Sequence, residues 1–476
     1  MISEKRDLPK KTEDLSGWYN KVVLLAELAD YGPARGTMIY RPYGYAIWEL
    51  IQKEMDRLIK EKGVANAYFP LFIPESLINK ESKHIEGFSP ELAVVTIGGG
   101  EELKEKLVVR PTSETIMYEA YARWIDSWRD LPLMINQWNN VVRWEKRPYL
   151  FIRTTEFLWQ EGHTAHANHD EAWQMVLWAM EMYTKIYEDF LALPGYAGRK
   201  SESEKFAGAD ITLTYESLMP GGKALQSSTS HDLGQNFSKP FNISFLNNEG
   251  QREFVWQTSW GLSTRSIGGM IMAHGDDGGL RLPPRLAPIQ VIILPVGNEA
   301  KIIDFSRKLV DKLKESGIRA ELDDGENETL GSKINNWELK GVPIRIEIGP
   351  KELEEKNITA VRRDNGKKQS LKQGGLAEQI KNLLDDIQNN LYKEAKKFLE
   401  ANTKEVNNYE EFKKLMAENR GFILAFWCEA PDCEEKIKAE TKTTTRCLPL
   451  EAKEENGLCI YCGKTAKHKW LFARSY

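Results

Sequence analysis

Three groups of residues in this 476-residue chain have types and spacing that bear on chemistry. The first is Val141-Val142-Arg143-Trp144-Glu145, then seven intervening residues, then Arg153-Thr154-Thr155-Glu156-Phe157-Leu158-Trp159-Gln160-Glu161-Gly162-His163. Alternate residues of an extended strand share a face, so Arg143 and Glu145 project together and a returning strand brings Arg153 beside them. A guanidinium fork holds phosphate oxygens and a carboxylate accepts from an amino group. The set therefore suits a nucleotide, although a surface hairpin with an ordinary ion pair is the competing reading of these residues alone. The second group is the cysteines, all five of them in the last fifth of the chain. Cys428-x4-Cys433 and Cys459-x2-Cys462, with 25 residues between, have the paired spacing of a closed tetrahedral zinc site. Cys447 falls between the pairs and is left out, and His468 is the alternative ligand. The third group, His163, His166 and His169, is not read as a metal site, because one strand or helix cannot aim all three at one ion.

These residues need elements to position them. The first 280 or so residues mix strands and helices without a repeat, which predicts an α+β domain. Apolar residues at helical spacing predict a helix over 43–62, ended by Gly63, then a strand over 64–69. A second helix is predicted over 171–190, opened by Asn168 or Asp170 and closed before Pro194-Gly195. Near Pro283, Pro284 and Pro288 the texture changes to strand 290–296, helix 300–315, strand 318–322, helix 332–339, strand 343–348 and a hairpin turned by Asn365-Gly366. That is a small α/β domain, and a Lys-rich helix over 376–401 leads on to the cysteines. Gly98-Gly99-Gly100 reads as a turn, and Gly221-Gly222-Lys223 lacks the other residues of a phosphate loop. Domain bounds of 1–284, 285–395 and 396–476 follow. Lys and Arg total 65 against 70 Asp and Glu, a formal charge of −5, so there is no general attraction to polyanions. DNA is not an expected partner, and RNA needs a local basic face. The charged amino terminus, the lack of a long apolar run and the clustered thiols predict a cytoplasmic protein without a membrane segment.

The Arg143-x-Glu145 strand, the loop, and Arg153 followed by Phe157 and Glu161 resemble motif 2 of the class II aminoacyl-tRNA synthetases. Trp260-Gly261-Leu262-Ser263-Thr264-Arg265-Ser266-Ile267-Gly268-Gly269 resembles motif 3, with Thr264 where an acid is usual, and the 43–70 segment resembles motif 1. Arg110-Pro111-Thr112-Ser113-Glu114, Trp159-Gln160-Glu161-Gly162-His163-Thr164-Ala165-His166 and Leu282-Pro283-Pro284-Arg285-Leu286-Ala287-Pro288 are similar to prolyl-tRNA synthetases of the archaeal and eukaryotic type, over nearly the whole chain. The resemblance implies a catalytic domain built on an antiparallel sheet with helices, then an α/β anticodon-binding domain and a small α+β zinc-binding domain. It also implies the site. Arg143, Glu145, Arg153, Thr154, Gln226, Thr229, Ser263 and Arg265 would bind ATP, with Arg143 and Arg265 catalytic. Thr112, Glu114, Arg143, Trp159, Glu161, His163, Phe206 and His231 would bind proline. Thr112 and Glu114 suit the secondary ammonium, which has two donors to share between a hydroxyl or carbonyl and a carboxylate. A helix start with Thr112 as cap and Glu114 in the first turn is compatible with that role.

The activity so implied is a proline–tRNA ligase, using ATP with Mg²⁺, L-proline and tRNA(Pro), with a structural Zn²⁺ on Cys428, Cys433, Cys459 and Cys462 and a homodimeric state. About a hundred residues separate motifs 2 and 3, and the pocket strands and a helix already need them, so no editing domain is expected between them. Two alternatives stay open: a sister enzyme charging threonine, serine or glycine, and a catalytically dead paralogue that binds only tRNA or a protein.

Overall fold

Pro42, pre-set for a first helical turn, opens α1 (Pro42–Glu61), whose Ile47, Ile51, Met55 and Ile59 recur at three- and four-residue spacing and are buried in the main core. Each such side chain stabilises the fold by roughly 1.5–3 kcal/mol. The computed structural model describes residues 8–80, 92–355, 357–418 and 420–476. After α1 the predicted strand is reduced to Ala65–Asn66, parallel to a later strand. The pairing stops because the Phe69 amide donates to the Gln137 side chain.

Helix α2 (Glu114–Trp124) precedes six long or short strands that carry the chemistry: β1 (Leu133–Val142), β2 (Glu156–His166), then, beyond helix α3 (His169–Lys185), β3 (Gly195–Arg199), β4 (Ile211–Met219), β5 (Lys223–Gly234) and β6 (Trp256–Ser263). They pair antiparallel in the order β3-β4-β5-β6-β2-β1. Asn168 caps α3 by accepting from the Glu171 amide. The predicted helix to 190 is α-helical only to Lys185. A π turn, Ile186–Phe190, follows, with the Leu191 amide on the Ile186 carbonyl. Helix α4 (Arg265–His274) leaves the end of β6.

The second body follows the predicted order: β7 (Val291–Pro295), α5 (Ala300–Glu315), β8 (Ala320–Leu322), α6 (Leu330–Leu339), β9 (Ile344–Ile348), and the hairpin β10 (Asn357–Arg362) and β11 (Lys368–Lys372). Its sheet order is β8-β7-β9-β10-β11, parallel across the first three strands and antiparallel after. Strand β8 starts later than predicted, since the Ile318 amide bonds back to the end of α5 at Leu313. Helix α7 (Leu376–Ala401) matches its prediction.

The cysteine region holds β12 (Phe422–Trp427), α8 (Pro431–Thr441), β13 (Thr444–Pro449) and β14 (His468–Ser475). It extends the first sheet: Leu448 of β13 pairs with Arg199 of β3, and Arg474 of β14 lies parallel to Lys223 of β5. Among the described residues the whole sheet has eleven strands. A buried ionic group ties the two parts. Glu216 takes the Lys200 ammonium at 2.8 Å and the Arg446 guanidinium at 2.9–3.1 Å. Among the described residues no helix is long and apolar enough to cross a membrane.

Candidate active site

The open face of β2, β4, β5 and β6 forms the floor of a cavity of about 160 Å³. Thr112, Glu114, Arg143, Trp159, Glu161, His163, Phe206, Gln226, Thr229 and His231 line it. Alternation explains much of this: Trp159, Glu161 and His163 share one face of β2, and Thr229 and His231 share one face of β5. The cleft of about 820 Å³ lined by Lys11, Asp276, Arg345 and Arg363 holds none of the candidate catalytic, ATP-binding or proline-binding residues.

At one end of the cavity the Thr112 hydroxyl donates to Glu114 and, among the described residues, accepts from no helix amide. Thr112 is therefore not the cap of α2; Ser113 holds that position, without a side-chain capping bond. Below lies Glu161, 1% exposed, which accepts from the Ser113 amide at 3.1 Å, Gln137 at 3.1 Å, Asn139 at 2.6 Å and His163 Nε2 at 3.0 Å, and also from the Ser113 hydroxyl. Burial pushes the Glu161 carboxyl up, but the hydrogen bond and charge of His163, with Ser113 and Asn139, bring it below the usual carboxylate range. Burial pulls His163 down, and the bond to Glu161 with the charges of Glu114 and Glu161 carries it above its ordinary value. His163 and Glu161 thus each favour the charged form of the other across a buried contact of 3.0 Å.

The far wall is apolar. Phe206 stacks on His231 with ring centroids 4.5 Å apart. Burial, then the charges of His163 and Arg143, push His231 down to about 3, so its ring is neutral near pH 7. Thr212 holds His231 Nδ1 at 3.0 Å. Trp159 lies over Gly261, where a Cβ would come within 3.2 Å of its ring.

Arg143 spans this wall and the polar end. Its Nε donates to the Pro111 carbonyl at 3.0 Å, and its guanidinium sits 5.4 Å from the Trp159 ring and 5.5 Å from that of Phe157. The sequence predicts Arg143, Glu145 and Arg153 on paired strands, but β1 ends at Val142 and β2 starts at Glu156. The last ladder bond is Arg143 N to Thr155 O, because the Thr155 amide donates to Gly36 instead. The three residues sit in the connecting loop. Glu145 and Arg153 still meet, at 3.6 Å. Thr154 is buried with its hydroxyl on the Glu156 carbonyl at 2.7 Å. Ser263 Oγ accepts from the Arg265 amide at 3.3 Å. Arg265 at the start of α4 donates to the Ile152 carbonyl at 2.9 Å and the Gln226 carbonyl at 3.4 Å. Burial, then the charges of Arg143 and Arg153, lower Arg265 to about 10. Three guanidiniums close enough for two of them to lower the third make a field suited to a polyphosphate.

Sequence reasoning missed Lys200, Glu204, Thr212 and Ser259, which also line the cavity, and the Ser113, Gln137 and Asn139 support of Glu161. Only the alternation of Gln137 and Asn139 on β1 signals that support. The three histidines are separate: His166 bonds Thr164 at 2.8 Å and His169 bonds Asp232 at 2.7 Å.

The thiols of Cys428, Cys433, Cys459 and Cys462 all lie within 4.8 Å of one another, with Cys428 3.6 Å from Cys433 and 3.7 Å from Cys462. Four sulfurs at about 2.3 Å from a tetrahedral Zn²⁺ would be about 3.8 Å apart, so the donor set fits that ion. Cys447 is buried instead against Gly198, away from the cluster.

Family profiles cover most of the chain: "tRNA synthetase class II core domain (G, H, P, S and T)" over residues 95–274, "Anticodon binding domain" over 290–383 and "Prolyl-tRNA synthetase, C-terminal" over 409–476. Proline–tRNA ligase of Natranaerobius thermophilus is 49% identical over 476 residues, covering 99% of this chain and 98% of its own. Proline–tRNA ligase 2 of Clostridioides difficile is 50% identical over 99% of this chain and 98% of its own. The chain belongs to the prolyl-tRNA synthetase family. In this prolyl-tRNA synthetase family member the class II core coincides with the antiparallel sheet that carries the cavity, and the anticodon-binding profile with the β7–β11 sheet. The last profile starts ahead of β12 and includes all four clustered cysteines.

Proposed function

We propose that the chain is a proline–tRNA ligase that activates L-proline with ATP and transfers it to the 3′ end of tRNA(Pro). The observation that carries this reading is the junction at Arg143 of a small half-apolar cavity with a cluster of three arginines. Glu114 and Thr112 take the two donors of the proline ammonium. Trp159, Phe206 and the neutral His231 ring face the pyrrolidine, and the Glu161–His163 pair fixes the floor. Arg143, Glu145, Arg153, Thr154, Gln226, Thr229, Ser263 and Arg265 hold ATP, Glu145 taking the adenine amino group and Thr154 contributing its backbone, since its hydroxyl is engaged. The proline carboxylate oxygen forms a bond to the α-phosphorus as the bond to pyrophosphate breaks. Arg143 and Arg265 neutralise the charge that moves onto the phosphate oxygens. Mg²⁺ enters with ATP and supplies further charge neutralisation. The terminal adenosine hydroxyl of the tRNA then attacks the acyl carbon, and AMP leaves. The protein aligns nucleophile and electrophile in both steps, and no covalent enzyme intermediate is needed.

The archaeal and eukaryotic type is our reading, supported by the four-cysteine C-terminal region. Domains at 1–284, 285–395 and 396–476, a structural Zn²⁺ on the four cysteines and a cytoplasmic location complete it. A homodimer is supported by exposed apolar side chains, Phe72, Val94 and Ile97 on the small sheet Phe72–Pro74, Ala93–Gly98 and Glu101–Val109, with Tyr68 and Trp124 nearby. The test is charging of tRNA bearing a proline anticodon with labelled proline. Acid-stable, base-labile label on the tRNA is the expected result; its absence, with active control synthetase on the same tRNA, would overturn the reading.

A further inference from the structure

The segment 200–210 between β3 and β4 has no regular structure, yet it carries Lys200, Glu204 and Phe206 into the cavity. It is gripped from outside by the cysteine-bearing region. Glu434, the residue after Cys433 on α8, is 5% exposed and its two carboxylate oxygens are shared among three hydroxyls. Ser201 donates at 3.0 Å, and Ser203 and Thr445 donate as well. Lys438, one helical turn on, reaches Glu204 at 3.7 Å. At its start the segment is tied again through Lys200, Glu216 and Arg446. A buried carboxylate is tolerable only with its lone pairs satisfied, and here two of the three satisfying hydroxyls belong to the pocket segment.

We infer that Glu434 is a positioning residue for the amino-acid pocket: by clasping Ser201 and Ser203 it sets where Phe206 and Glu204 stand, and so governs affinity for the amino acid while leaving the ATP end untouched. The inference rests on the cavity being the amino-acid site. The ATP end is built from the β1–β2 loop, β5, the end of β6 and α4, whereas the hydrogen bonds of Glu434 go to Ser201, Ser203 and Thr445. A side chain from the metal-binding region thus tunes substrate affinity at a site whose walls it does not line.

The test is ATP–pyrophosphate exchange by the full chain with its metal content measured. Glu434→Ala should raise the proline KM about tenfold, the scale of one hydrogen bond to a charged group, with kcat and the ATP KM near those of the parent. Glu434→Gln should recover most of the affinity, since an amide oxygen still accepts from a hydroxyl and the hydroxyls can accept from the amide. A Ser201→Ala/Ser203→Ala double variant leaves α8 intact and should show the same rise. Combining it with Glu434→Ala should add nothing further. A purely structural Glu434 would lower kcat through a smaller active fraction and leave KM alone; that result, or an unchanged proline KM in the serine double variant, would overturn the proposal. If the parent exchanges best with another amino acid, the function above is wrong and the clasp is tested by the KM for that amino acid.

Discussion

Arg143 does three jobs with one guanidinium: it anchors on the Pro111 carbonyl, covers the Trp159 ring and adds to the charge that lowers Arg265. Arg143→Ala should reduce adenylate formation by about 10²–10³-fold, as for loss of one donor aimed at developing charge. Thermal unfolding should shift little, because the side chain is not part of the core. An Arg143→Ala enzyme with parental exchange rates would exclude this role. The Glu161–His163 pair makes a pH prediction. His163 is raised above its ordinary 6.5, so its contribution to stability is complete below that value and is lost as pH rises through the folded value. Glu161 is depressed below its ordinary 4.5, so its contribution is present above that value and is lost as pH falls through the folded value. The stability difference between the parent and His163→Asn should therefore shrink on raising pH from 6.5, measured by urea unfolding; a difference independent of pH would contradict the pairing. The residue types at Arg143, Glu145 and Arg153 were legible because charge chemistry is local. Lys200 and Ser259 were not, since nothing in their neighbours marks them as lining a cavity closed by distant strands.

Among elements, α5 and α7 have the predicted bounds because a continuous apolar stripe and clear stops define a helix within its own sequence. Strand ends are set by partners instead. The Thr155 amide goes to Gly36 and the Phe69 amide to Gln137, and both choices are made by residues far along the chain. The predicted strands holding Arg143 and Arg153 become a loop for that reason. Glu216, Lys200 and Arg446 are the reverse case, a buried group joining β4 to β13 across 230 positions that no local pattern reveals. Truncating Arg446 to Ala should cost about 3 kcal/mol, the lower end for breaking a buried pair because Lys200 still faces the carboxylate, measured as a shift in the urea midpoint. A loss below about 1 kcal/mol, the range of exposed pairs, would show that water relieves Glu216.

At the scale of the molecule, the cysteine region is not an appendage, because its strands continue the sheet that bears the cavity. If the four thiolates hold Zn²⁺, chelation should release about one equivalent and lower the thermal midpoint of the catalytic sheet together with that of the last region. Loss of metal with no change in unfolding would separate them. The three-body order was legible from proline clusters and the shift in periodicity, while the merging of the first and last bodies into one sheet was not, since strand pairing over such separations leaves no mark in either segment. The central claim is that this cavity activates proline. ATP–pyrophosphate exchange with each of the twenty amino acids tests it most directly: proline should drive exchange far above the rest, with alanine and cysteine as slow followers, because a missing methylene is worth only about 1–3 kcal/mol. Exchange driven best by another amino acid, or none from folded, metal-loaded protein, would contradict it.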